Sequence, residues 1–245
     1  MRTLTSLVSL ALLLLLCACA GQSSTQAASP SADRSGAPQA NAQPAPRFLG
    51  AETSIMQPIT APGYANVRSW RAPDFNPKDY SAIMLDPTIV WQAEAQAKGA
   101  GVKIEELNAV AGHFDEVLKK AMQAIDFPLR DQPGPRVLRV SAAITEARPS
   151  NPTMNTLTSV LPVGLLISLG TKAATGRDPN VGSCSIEMRF ADAATGKTVA
   201  LFSDHKEGDK YDRANFERFG QAQKAEDEWA ALMKDRILAL WGARK

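Results

Sequence analysis

Val137-Leu138-Arg139-Val140-Ser141-Ala142-Ala143-Ile144-Thr145 is the stretch on which the fold turns. Leu138, Val140, Ala142 and Ile144 alternate with Arg139, Ser141, Ala143 and Thr145. A period of two with one apolar set is the pattern of a strand buried on one face. Just upstream, Gln132-Pro133-Gly134-Pro135 reads as a turn. Before it, Ile104, Leu107, Ala111, Phe114, Leu118, Ala121 and Ile125 recur at three- and four-residue steps, which predicts a helix over 104–125 with one apolar stripe. Phe127-Pro128 stops it. A first strand is expected at 81–85, ended by Asp86-Pro87.

Downstream, Cys184, Ile186, Met188 and Phe190 alternate with Ser183, Ser185, Glu187 and Arg189, a second half-buried strand over 182–191. The turn-rich Asp192-Ala193-Ala194-Thr195-Gly196-Lys197 leads to 198–203, so the two strands form a hairpin. The chain ends in a helix whose apolar face is Trp229, Leu232, Met233, Ile237, Leu240 and Trp241. Acids at 226–228 precede the bases Lys234, Arg236, Arg244 and Lys245, the order a helix dipole favours. The order β-α-β, a long apolar connection, then β-β-α implies an α/β fold of the α+β type. Its two layers are a mixed, mainly antiparallel sheet and helices on one face. The polar alternate positions imply that the other sheet face is partly wet.

The N-terminus carries an address. Arg2 precedes the apolar run 7–16, too short for the ~20 residues that span a bilayer. It reads as a removable secretory signal over 1–18. Leu16-Cys17-Ala18-Cys19 closes the run, and a small residue before a cysteine is the arrangement of a bacterial lipoprotein signal, with Cys19 as the acylated residue. No aspartate follows Cys19, so the expected location is the periplasmic face of the outer membrane. Stable anchoring takes more than one acyl chain. Residues 19–72 are rich in Ala, Gln, Ser and Pro, and read as a disordered tether with a coil reach of roughly 35–42 Å. An alternative is that 55–67 docks onto the domain as an extended segment. Residues 73–245 are expected to form a single domain.

Composition narrows the function. The chain has 27 basic and 25 acidic residues, and loss of 1–18 removes only Arg2 from that balance. Such a balance gives no electrostatic footprint for nucleic acid. After processing, Cys184 is the one cysteine besides Cys19, so no intramolecular disulfide forms. Thr195-Gly196-Lys197-Thr198 resembles the end of a phosphate loop, but it joins two strands and the motif's first glycine falls on Ala191, so no nucleotide is expected. Asp204-His205-Lys206 reads as a charged loop after the hairpin. His113 has Val117 four residues on and cannot build a paired-histidine zinc site, so a solvated helix face is expected. Cys184 lies on the apolar side of its strand, as a structural thiol would. No catalytic, cofactor or metal residue is assigned. The apolar stretch 157–169 reads as a connection packed into the core, or as a surface for a partner or lipid centred on Leu157, Leu161, Leu165 and Leu166.

Several segments in order carry a family resemblance. They are Asp79-Tyr80, Leu85-Asp86-Pro87, Pro133-Gly134-Pro135-Arg136-Val137-Leu138-Arg139-Val140 and Ala143-Ile144-Thr145. Then come Leu161-Pro162-Val163-Gly164, Thr175-Gly176, Ser185-Ile186-Glu187, Asp192 with Thr195-Gly196-Lys197, and Trp229. Over roughly 77–241 the chain resembles the proteobacterial lipoproteins grouped as domain of unknown function 3313, departing toward polarity at 151–155. That resemblance implies an envelope lipoprotein and brings no activity, cofactor or catalytic residue. The leading expectation is a non-enzymatic accessory module docking on an envelope protein. The others are a binding module for a lipid or other apolar ligand, and a periplasmic hydrolase using Asp204, His205 or Cys184.

Overall fold

A computed structural model of the protein describes residues 47–62, 64–151, 181–209 and 212–242. The strands are β1 Gln57–Pro58, β2 Arg68–Arg71, β3 Ala82–Leu85, β4 Ile89–Val90, β5 Val137–Arg148, β6 Ser183–Asp192 and β7 Thr198–Glu207. The described α-helices are α1 Ala93–Ala100, α2 Ile104–Gln123 and α3 Gly220–Trp241. One sheet runs β1-β2-β7-β6-β5-β3, and β4 also pairs with β5. β3 and β4 run parallel to β5, and every other pairing is antiparallel. A parallel neighbour requires a crossover, which the helical segment between β4 and β5 supplies.

The β5–β6–β7 centre forms as the alternation requires. Leu138, Val140, Ala142, Ile144, Cys184, Ile186 and Met188 are buried in one core with Leu107, Phe114 and Leu118 of α2 and with Trp229 and Met233 of α3. Phe114 and Trp229 meet edge to face, centroids 6.2 Å apart. The start of α2 is fixed where the Lys103 N–H donates to the Glu106 carboxylate at 2.9 Å, satisfying a donor the helix leaves free.

The boundary expected at residue 73 is overturned. β2 pairs with β7 from Arg68↔Ser203 to Arg71↔Ala200 and extends the sheet. Residues 47–56 cross the face opposite the helices, where Leu49, Met56 and Leu201 form a small second core with Phe48 and Trp70 against it. Polar contacts hold this arm. The Leu49 N–H donates to Glu187 Oε2 at 2.9 Å, and Glu52 accepts from Arg189 and, at 2.9 Å, from Thr198 Oγ1. The far face is thus partly roofed. Composition alone did not show this, because β2 is four residues long and its apolar contacts are all long-range. Pro58 fits β1 because an edge strand tolerates a missing donor.

β7 also outruns its expected end. Asp204, His205 and Lys206 are strand residues, paired with Ile186, Ser185 and Cys184. They are not the loop their charge suggested, because each has a partner off its strand. Cys19 and the proposed surface of Leu157, Leu161, Leu165 and Leu166 lie outside the described residues.

Candidate functional site: an apolar cleft between the last helix and the sheet edge

The residues that invited catalytic readings do not converge. Asp204 points to the helix side, where Oδ2 accepts the Trp229 indole N–H at 2.8 Å. Its neighbour His205 points to the other side, with Nδ1 2.8 Å from Ser185 Oγ. Successive strand residues face opposite ways, so the two cannot act on one substrate. Cys184 is fully buried, and burial pushes its thiol well above the usual range, away from a nucleophilic thiolate. The amides of Ala194 and Thr195 are taken by the Asp192 carboxylate at 3.1 and 2.8 Å, leaving a hairpin turn with Gly196 at φ +74°. A phosphate would have to displace that carboxylate. Among the described residues no three His, Cys, Asp or Glu side chains group as a metal site.

His113 departs from the expected solvated face. Its Nδ1 lies 2.6 Å from Oε2 of Glu226, a fully buried carboxyl on α3. Burial pushes Glu226 up to about 9, with Asp227 and then Asp115 adding to the rise. Protonated, the carboxyl donates to Nδ1, and the ring's Nε2 faces Asp227 Oδ1 at 4.0 Å. The pair ties α2 to α3 from inside the core. Sequence reasoning missed it because the partners are 113 residues apart.

An apolar concavity lies at the other end of α3. A cleft of about 340 Å³ opens between α3 and the helix-side face of β2, β7 and β6. Its floor includes Ser69, Ala200, Phe190 and Phe202. Ser69 is in register with Phe202, and Arg71 with Ala200, so Arg71 points to the helix side. The wall is the ridge Leu232, Arg236 and Leu240, three residues at successive i, i+4 spacings along α3, with Trp241 and Phe75 at its end. The Trp241 indole N–H donates to the Tyr80 carbonyl at 2.9 Å and so pins this end of the helix. Leu240 is 40% exposed, although the sequence placed it on a core-facing stripe. That stripe is wider than the sheet beneath it can cover. A second depression beside β7 is polar, and its Lys206 and Lys224 are already paired with Glu228 and Asp212.

A family model covers residues 46–233, starting with the arm rather than at the expected residue 77. The chain belongs to the family described as protein of unknown function (DUF3313). A search of the curated proteins finds no match to this DUF3313 protein. Among solved structures it is similar to the PelC dodecamer from Paraburkholderia phytofirmans, with 11% identity over 73% of this chain and 98% of that one, TM-score 0.39. It is also similar to a minor lipoprotein from Acinetobacter baumannii, with 11% identity over 65% of this chain and 94% of that one, TM-score 0.33. Among the described residues of the DUF3313 chain, no helix is long and apolar enough to cross a membrane.

Proposed function

We propose that this protein is a lipid-anchored, non-enzymatic accessory module of the bacterial cell envelope that works by holding an apolar ligand. The observation that carries the ligand reading is the cleft of about 340 Å³ walled by Leu232, Leu240 and Trp241 and floored by Phe190 and Phe202. Its volume falls in the ~300–1,000 Å³ range of small-molecule sites. The anchor is Cys19, the domain faces the periplasm, and the outer membrane is the proposed home, on the signal sequence and the residues after it. The expectation of a protein partner rested on the anchor and the long tether, and the segment expected to meet either a partner or a lipid, 157–169, lies outside the described residues. The described surface offers a concave apolar site instead, and this moves ligand binding ahead of docking on an envelope protein.

Two experiments test the reading. Intact mass of the membrane-extracted protein should show acylation, and Cys19→Ser should release the chain into the soluble periplasmic fraction. That soluble chain, purified without detergent and extracted with organic solvent, should yield an apolar molecule that Leu240→Asp loses. An empty extract, together with no uptake of a fluorescent apolar dye, would overturn the binding role.

A further inference from the structure

The charge around the cleft points to the kind of ligand. Every charged residue that lines it is an arginine, Arg71 or Arg236, and no aspartate or glutamate lines it. Elsewhere in the domain some arginines face carboxylates, as Arg139 meets Asp86, Arg189 meets Glu52 and Arg218 meets Glu106, while Arg68 and Arg136 are taken by backbone carbonyls. Arg71 and Arg236 make no ion pair among the described residues, and both are exposed. Arg236 stands between Leu232 and Leu240 on the ridge, where an apolar wall would be completed by a third aliphatic residue. Arg71 approaches from the facing strand, beside Ala200, whose small side chain leaves the space open.

We propose that the cleft takes a single-chain anionic amphiphile of the fatty-acid type, its acyl chain along Phe190, Phe202, Leu232 and Leu240 and its carboxylate held by Arg71 and Arg236. This rests on the apolar-ligand reading of the same cleft. The volume is at the small end of the ~300–1,000 Å³ range, which fits one acyl chain rather than two. A guanidinium presents two parallel N–H donors to a carboxylate, a match an ammonium cannot make. Two arginines at the mouth of an apolar site therefore select the ionised head and leave the chain to the hydrophobic wall.

The test is calorimetric titration of the delipidated, full secreted chain carrying Cys19→Ser. The probes are laurate, 1-dodecanol and dodecylammonium, which share one chain and differ in the head. Laurate should bind at least about tenfold tighter than dodecanol, as expected for charge-assisted hydrogen bonds, and dodecylammonium weakest. Arg71→Gln and Arg236→Gln should each weaken laurate about tenfold and leave dodecanol unchanged. Added salt should weaken laurate alone, since both arginines are exposed. Leu240→Asp, at an exposed position that tolerates a charge without unfolding, should abolish both probes. Equal binding of laurate and dodecanol, indifferent to both arginine changes, would overturn the anionic-head proposal and leave the apolar cleft standing. Failure of every probe to bind a chain that melts normally would overturn both.

Discussion

The two halves of α3 lie against the same sheet, yet they are different surfaces. Along the first half, Gln221, Ala222, Ala225, Glu226, Trp229 and Ala230 are all buried. Along the second, only Met233 and Ile237 are, while Leu232 and Trp241 are half-buried and Leu240 is exposed. The first half meets α2 and the β5–β6 centre, where facing side chains are large and interlocked. The second overhangs the outer strands β2 and β7, where the small Ser69 and Ala200 alternate with Arg71 and Phe202 on the helix side and leave a gap. One apolar stripe thus serves as core at one end and as a wall of a site at the other. The partner surface, not the stripe, makes that difference.

Trp229→Ala should strike the packed half hardest. It removes the ring that meets Phe114 and should cost about 3–5 kcal/mol in denaturant unfolding, the usual scale for deleting a buried aromatic. A loss below ~1 kcal/mol would mean that the first half is no better packed than the second. Asp204→Ala should cost less, about 1–3 kcal/mol, by leaving the Trp229 indole N–H without its acceptor. Trp229→Phe in the same background should recover much of it, because the donor goes with the indole.

Glu226 gives the packed half a pH signature. Its folded-state value of about 9 lies above the ordinary 4.5 of a glutamate, so the folded chain keeps a proton that the unfolded chain has given up. The stability it contributes is complete below 4.5 and is lost as pH rises toward 9. Chemical denaturation from pH 5 to 9 should therefore show stability falling with pH, and Glu226→Gln should flatten the curve. An unchanged slope in that variant would assign the pH dependence elsewhere. The smallest stability effect belongs to the open half. Leu240→Asp should stay within about 0.5 kcal/mol of the parent protein, as exposed positions do, while removing ligand uptake. A large destabilisation there would show that the overhang is core after all.

Periodicity exposed the strands and helices with strong one-sided patterns. β5, β6 and α2 fall within a few residues of the expected ends, because each carries an unbroken apolar set over eight or more residues. β2 and the arm at 47–56 were read as tether, since Leu49, Met56 and Trp70 are isolated in a polar stretch and gain their meaning only against Leu201. Of the cleft, the apolar face of α3 was legible, and Arg236 only as a base that suits the helix dipole. That the ridge faces space, and that Arg71 faces it from β2, was not.

The amino-acid order by itself determined the alternation of the central strands, the stripe of each long helix, and membership of a family. These are local, because a period of two or of three to four is written in neighbouring residues. Only the tertiary structure decided that Asp204 and His205 turn to opposite faces and that a half-buried histidine meets a buried glutamate 113 residues away. It also decided that the end of α3 is left uncovered by the other described residues. The physical reason is that burial is a property of two surfaces together, and a stripe on one helix does not say how large the side chains opposite it will be.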